Sequence, residues 1–192
     1  KQNIFCLLTR KPTKEARTKP LTDYFPVRRS ERRPHTALMK DKVKEIEEAI
    51  LKEIEEGFEV KEFIDKGRGL VTTKNIKQGE FVLEYCGDLI CLEEAKKREK
   101  MYEKDDSVGC YMYYFSYKNN RYCVDATKES GRLARLVNHS KHGNLKTKSF
   151  SVQGIPRLIL VAKRDIQPGE ELLYDYGDRN KYSLQSHPWL AL

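Results

Sequence analysis

The 192-residue chain has a single tryptophan, few cysteines and no long apolar run. No stretch approaches the ~20 consecutive apolar residues that cross a bilayer, so neither a membrane-spanning helix nor a membrane partner is expected. The apolar residues 4–8 are too short for the core of a secretory signal, and basic residues follow them. The five cysteines, at positions 6, 86, 91, 110 and 123, form no Cys-x-x-Cys pair and are odd in number. This pattern argues against a zinc centre and for reduced thiols in an intracellular compartment, so no metal is expected. It also sets aside Asn138-His139-Ser140 as a glycosylation signal, which has meaning only in a secreted protein. There is no strand–Gly-x-Gly–helix unit followed by an acidic residue, which excludes a Rossmann-type cofactor site.

What is present is unevenly distributed. Residues 1–40 hold 11 Lys and Arg against 3 Asp and Glu, a balance of +8, which equals the net charge of the whole chain. A basic arm on a neutral globule suits a polyanionic partner, DNA or an acidic protein surface; a merely solvated tail is the alternative. The length allows one domain plus such a tail. Within it, Arg28, Arg29, Arg32 and Arg33 form a dense cluster able to make planar, bidentate contacts with phosphates or carboxylates. Leu21-Thr22-Asp23-Tyr24-Phe25 is an apolar knot whose leucine and two aromatics fit one helical turn that plugs a pocket.

Four segments are expected: a disordered basic tail over 1–40, a flanking helix over 41–56, a folded domain over 57–178 and a C-terminal segment over 179–192. Val43, Ile46, Ile50 and Ile54 recur at helical spacing, and Gly57 supplies a stop. Beyond it the apolar segments become short and strand-like, at 58–64, 70–72, 81–85, 111–117, 121–124, 158–162 and 172–176. A surface helix is expected over 92–103, with a hairpin turn at Asn119-Asn120.

Two stretches carry the chemistry. In Arg135-Leu136-Val137-Asn138-His139-Ser140 a polar pair follows an apolar run directly. Residues 170–177 end in Tyr174 and Tyr176, which on a strand point to one face. Taken alone, the first reads better as a polar loop after a strand, and the second as sheet packing. Earlier in the chain lie Lys66-Gly67-Arg68-Gly69-Leu70 and Glu84-Tyr85-Cys86-Gly87. Taken together and in this order, these motifs resemble those of the SET-domain lysine methyltransferases. Residues 109–115, 122–127 and the ending His187-Pro188-Trp189-Leu190 are similar to one branch of that family, which monomethylates the tail lysine at position 20 of histone 4.

The resemblance implies a mostly β (α+β) β-clip fold. In it the Asn-His stretch and the C-terminal segment cross as a pseudoknot. It implies S-adenosyl-L-methionine as cofactor, contacted by Lys66, Gly67, Arg68, Tyr111, Asn138 and His139, with Trp189 covering the adenine. Tyr85, Cys110, Tyr111 and Tyr174 would line the lysine channel, and Tyr176, with Tyr85 and Tyr174, would act at the transferring methyl. It implies a monomeric nuclear enzyme at chromosomes that acts in chromatin regulation, transcription repression and cell-cycle control. Its partners would be the histone 4 tail in nucleosomes, with nucleosomal DNA or the acidic histone surface taking the arginine cluster. Leu21, Thr22, Asp23, Tyr24, Phe25 and Arg29 resemble the box that binds the sliding clamp PCNA and, in one version, recruits a ubiquitin ligase on chromatin. Thr18 stands where that box usually has Gln.

Overall fold

The structure is a computed structural model and describes residues 34–64, 66–105, 108, 109 and 111–177. The basic tail up to residue 33, Cys110 and Trp189 lie outside the described residues.

Helix α1 runs His35–Leu51. It begins inside the stretch expected to be a disordered tail and ends before Gly57. The stop comes from Glu53, whose left-handed backbone (φ 52) lets the Glu53 and Ile54 amides turn back onto the Ile50 and Ala49 carbonyls. Ile54 therefore lies past the helix. Ile46 and Ile50 pack against Val152, Ile159, Val161, Phe81 and Phe150, a small apolar layer on one side of the main sheet.

Among the described residues the strands form three sheets. β1 (Phe58–Phe63) and β2 (Gly67–Thr72) make a two-stranded hairpin. β3 (Phe81–Glu84) is an edge of the five-stranded sheet. β4 (Asp88–Cys91), β5 (Met112–Tyr117) and β6 (Asn120–Asp125) form the third, with β6 central and α2 (Leu92–Tyr102) beside it. The β5–β6 turn is Lys118-Asn119, one residue earlier than expected. Both have positive φ, as a two-residue hairpin turn with the strands' own twist demands.

The five-stranded sheet, ordered β3-β9-β8-β10-β7, is completed by β7 (Asn138–His139), β8 (Leu145–Val152), β9 (Ile155–Ala162) and β10 (Leu173–Tyr174). Along β9 the two-residue period sorts side chains cleanly. Leu158, Leu160 and Ala162 enter the main core, while Ile159 and Val161 face the α1 layer. The main core also takes Leu70, Ile76, Leu83, Leu145, Ile166 and Leu172, all essentially without exposure. At about 1.5–3 kcal/mol per buried aliphatic side chain, this cluster is the main source of stability.

β10 lies between β7 and β8 and pairs in parallel with both. β7 and β8 are joined only by residues 140–144, so this link must cross over the C-terminal segment, which is the expected pseudoknot. Asn144, buried at 5% exposure, fastens the crossing. Its amide NH2 donates to the Glu171 carbonyl (2.8 Å), and its side-chain oxygen accepts the Leu173 N–H (2.9 Å). The Ser140 N–H adds a bond to the Tyr174 carbonyl (3.1 Å). Gly143 has to be glycine here, because a Cβ would run into the Leu173 carbonyl.

Candidate active site

The crossing places four tyrosines together. Tyr174 is 3% exposed and held from both sides, opposite His139 on β7 and Leu145 on β8. Tyr85 follows β3 directly and is buried too. The rings of Tyr85, Tyr113 and Tyr174 form a near-equilateral triangle, with centroids 6.1, 6.1 and 6.3 Å apart, and the Tyr176 ring sits 4.8 Å from that of Tyr174. Tyr176 lies two residues past the strand, yet the two rings adjoin. Burial pushes the Tyr174 hydroxyl well above its ordinary value of 10, and the neighbouring tyrosines add to the shift. It is neutral at any physiological pH.

Backbone carbonyls take the protons of two of these hydroxyls. Tyr85 donates to the Tyr111 carbonyl (3.1 Å) and Tyr176 to the Val137 carbonyl (2.9 Å). An oxygen whose proton is committed in this way presents lone pairs to the site. His139 Nδ1 accepts the Tyr176 N–H (3.1 Å), and its ring meets the Tyr176 ring edge-on at 5.0 Å. His139 thus works through its side chain to fix Tyr176.

A second, charged cluster lies at the start of β2. Glu171 receives both the Asn138 amide (3.0 Å) and the Lys66 ammonium (3.2 Å). Glu129 receives Arg68 (3.0 Å) and pairs with the buried Arg135 (3.3 Å), whose guanidinium stacks 4.1 Å above the Tyr111 ring. Gly67 has φ +68 and open space where a Cβ would stand, which suits close approach by a ligand. Gly69 has a different role from the one expected: its Cβ would stand 2.6 Å from Asn138 Nδ2 and 2.7 Å from the Phe63 ring, so its bareness seats Asn138.

The structure thus brings Tyr85, Tyr174, Tyr176, Asn138 and His139 to one crossing, with Lys66 joined to it through Glu171, and sets Arg68 and Tyr111 around Glu129 and Arg135. Several participants escaped the sequence reading, Glu129 and Arg135 of the charged cluster among them. Glu171 and Asn144 look in sequence like ordinary polar residues of a strand end and a loop. Tyr113 is one of several tyrosines in its strand, and Thr147, which meets it at 2.8 Å, lies on a strand not anticipated at all. Among the described residues no group of three or more His, Cys, Asp or Glu side chains is placed to hold a metal ion.

The donor set fits S-adenosyl-L-methionine: an ammonium and an amide for its amino-acid end, an unobstructed glycine, and an aromatic wall of neutral oxygens beside them. Comparison with known proteins agrees with this reading. Residues 67–177 match the SET domain family model. The chain is 54% identical over 177 residues to N-lysine methyltransferase KMT5A of Xenopus tropicalis, covering 92% of this chain and 53% of that protein. It is 53% identical over 171 residues to histone-lysine N-methyltransferase Set8 of Drosophila melanogaster, covering 89% of this chain and 25% of that one. The chain thus spans about half of one relative and a quarter of the other. A crystal structure of CpSET8 from Cryptosporidium superposes with a TM-score of 0.66 at 43% identity, covering 77% of this chain and 70% of that one. The chain belongs to the SET-domain family, on the branch of the KMT5A and Set8 lysine methyltransferases.

Proposed function

We propose that the chain is a protein-lysine N-methyltransferase that places one methyl group on lysine 20 of the histone 4 tail in nucleosomes. The observation that carries the proposal is the crossing itself: it sets three neutral tyrosine hydroxyls beside an amide, an imidazole and a cation in a protein of this family. Lys66, Gly67, Arg68, Tyr111, Asn138 and His139 would hold S-adenosyl-L-methionine, with Trp189 over its adenine. The cofactor supplies a methyl group already activated on a sulfonium, so the chain needs no nucleophile of its own.

What the chain must do is deliver a neutral amine in the right orientation. The aromatic wall favours loss of the lysine proton, because charge is costly there. The Tyr176 and Tyr85 oxygens accept N–H bonds from the amine and leave its lone pair pointing elsewhere. Orientation of this kind is worth several kcal/mol, up to about 7–11 in ideal systems. Tyr174 and Tyr85 fill the space that a methyl on the amine would need, and Cys110, outside the described residues, would line the channel as the resemblance implies. For a second transfer the amine must displace a hydrogen-bonded group at a cost of about 1–3 kcal/mol, which slows it roughly 5- to 150-fold.

The remaining partners follow from the tail. The cluster Arg28, Arg29, Arg32 and Arg33 would bind nucleosomal DNA or the acidic histone surface. The 21–25 box with Arg29 would bind PCNA and admit a ubiquitin ligase. The setting is the nucleus, at chromosomes, in transcription repression and cell-cycle control. The decisive experiment is incubation with labelled cofactor and nucleosomes, followed by mass spectrometry of the histones. Monomethylation of one histone 4 lysine is expected, and Tyr174→Phe should yield dimethyl product. Unmodified histones, or dimethylation by the unaltered chain, would overturn the reading.

A further inference from the structure

One contact near the tyrosines joins two separate sheets. Tyr113 lies on β5, in the three-stranded sheet, opposite Val124. Thr147 lies on β8, in the five-stranded sheet, opposite Leu160. Their hydroxyls are 2.8 Å apart. Thr147 is two residues from Leu145, the β8 partner of Tyr174, so both face the same side of the strand. The Tyr113 ring is therefore pinned at both ends, by its backbone in one sheet and by its hydroxyl on the other. Between those ends it touches the Tyr85 and Tyr174 rings, with centroids 6.1 Å from each. A ring anchored only by its backbone swings aside under pressure, and a ring anchored at both ends does not.

We propose that the Tyr113–Thr147 hydroxyl pair is a positioning device that sets how many methyl groups the site admits. It holds the wall behind Tyr174 and Tyr85 rigid, so those side chains cannot retreat before a methylated amine. Neither residue needs to touch the substrate. This rests on the reading of the chain as a monomethylating enzyme, and it adds a determinant outside the channel itself.

The test uses the full chain, nucleosomes and mass spectrometry of product states. Tyr113→Phe and Thr147→Val each remove one hydroxyl with little change of shape. Each should raise the ratio of second to first transfer by about 2- to 10-fold, the factor a single net hydrogen bond is worth. The double variant should do no more than either single one, since both break the same bond. Thr147→Ser, which keeps the hydroxyl, should restore the parent ratio. A purely structural role would lower the melting temperature in all variants and leave the ratio alone. An unchanged ratio in Tyr113→Phe and Thr147→Val, or additive effects in the double variant, would overturn the proposal while monomethylation by the parent chain leaves the functional reading standing. If the parent chain itself makes no monomethyl-lysine, that reading fails first. Should Tyr113→Phe not fold, Thr147→Val against Thr147→Ser decides alone.

Discussion

The two sides of the candidate site are built on opposite principles. On the tyrosine side the groups are neutral, buried and tied to backbone: Tyr85 to the Tyr111 carbonyl, Tyr176 to the Val137 carbonyl, Tyr174 between two strands. On the other side Lys66 and Arg68 are charged, about half exposed, and tied to carboxylates that long side chains can leave. The first arrangement is rigid, because its groups are held by buried backbone. The second is adjustable, because surface ion pairs are worth only about 0–1 kcal/mol and exchange partners readily. Under the proposed function, orientation of the amine, on which chemistry and product depend, would fall to the rigid side, and cofactor capture to the adjustable one. Substitutions on the tyrosine side should therefore alter turnover and product, and those on the charged side should alter affinity.

The sharpest break of this division is Tyr176→Phe. It removes one preorganised oxygen and leaves the ring packed on Tyr174 and His139. Loss of such a group costs on the order of 10²–10³ in kcat. Cofactor affinity, measured by calorimetry, should hardly move, and no dimethyl product should appear. A loss of affinity as large as the loss of turnover would erase the distinction between the two sides.

Asn144→Ala comes next, and it tests what keeps the tyrosine side rigid. Both ends of this buried amide are bonded, so two contacts to the 171–173 backbone go at once. At about 0.5–1.5 kcal/mol each, stability should fall by roughly 1–3 kcal/mol, more if the Leu173 N–H is left unsatisfied. Denaturant unfolding measures the loss. An unaffected midpoint would mean that strand pairing alone secures the crossing.

How far the sequence revealed this division differs between the parts. The tyrosines, the Asn138-His139 pair and the glycine loop were legible because their order along the chain carries a family pattern, and strands β1, β3, β5 and β6 because apolar residues mark them. β8 was not, since Lys146, Lys148, Ser149 and Ser151 dilute its apolar pattern, and it is a strand because β9 pairs along its whole length. β4 is only four residues long and is recruited by β6. The early start of α1 was masked by the basic composition around it. Asn144, Glu171 and the Tyr113–Thr147 pair were hidden for one shared reason: their roles depend on partners 27 to 105 residues away. No local periodicity reports such pairings.

Tyrosine neutrality gives a pH signature. The Tyr174 hydroxyl titrates higher in the folded chain than its ordinary value of 10. Between those two values the folded state holds a proton that the unfolded state has released, so stability falls as pH rises. The contribution is fully present below pH 10 and is lost as pH climbs towards the folded value. The slope is about 1.4 kcal/mol per pH unit for one such group. Tyr174→Phe should therefore flatten the alkaline limb of unfolding free energy between pH 10 and 11. Parallel limbs would show that Tyr174 is not the protected group.

The smallest effect is expected from Glu171→Gln, and it separates the two contacts that Glu171 makes. Glutamine keeps an oxygen for the Asn138 amide but loses the charge that tethers Lys66. Lys66 is 43% exposed on its side chain, so water already screens most of that attraction. The ion pair is worth no more than about 0.2–1 kcal/mol, which means a cofactor affinity weakened roughly 1.4- to 5-fold. Because the effect is a screened surface charge, it should fade in high salt. Glu171→Ala should cost more and keep its cost in high salt, since it also frees the Asn138 amide that Gly69 makes room for. Calorimetric titration of both variants at low and high ionic strength distinguishes the contacts. Turnover at saturating cofactor and the product state should stay those of the parent chain in Glu171→Gln. A change of product there would mean that the charged side reaches the amine after all, and that the two sides of the site are one.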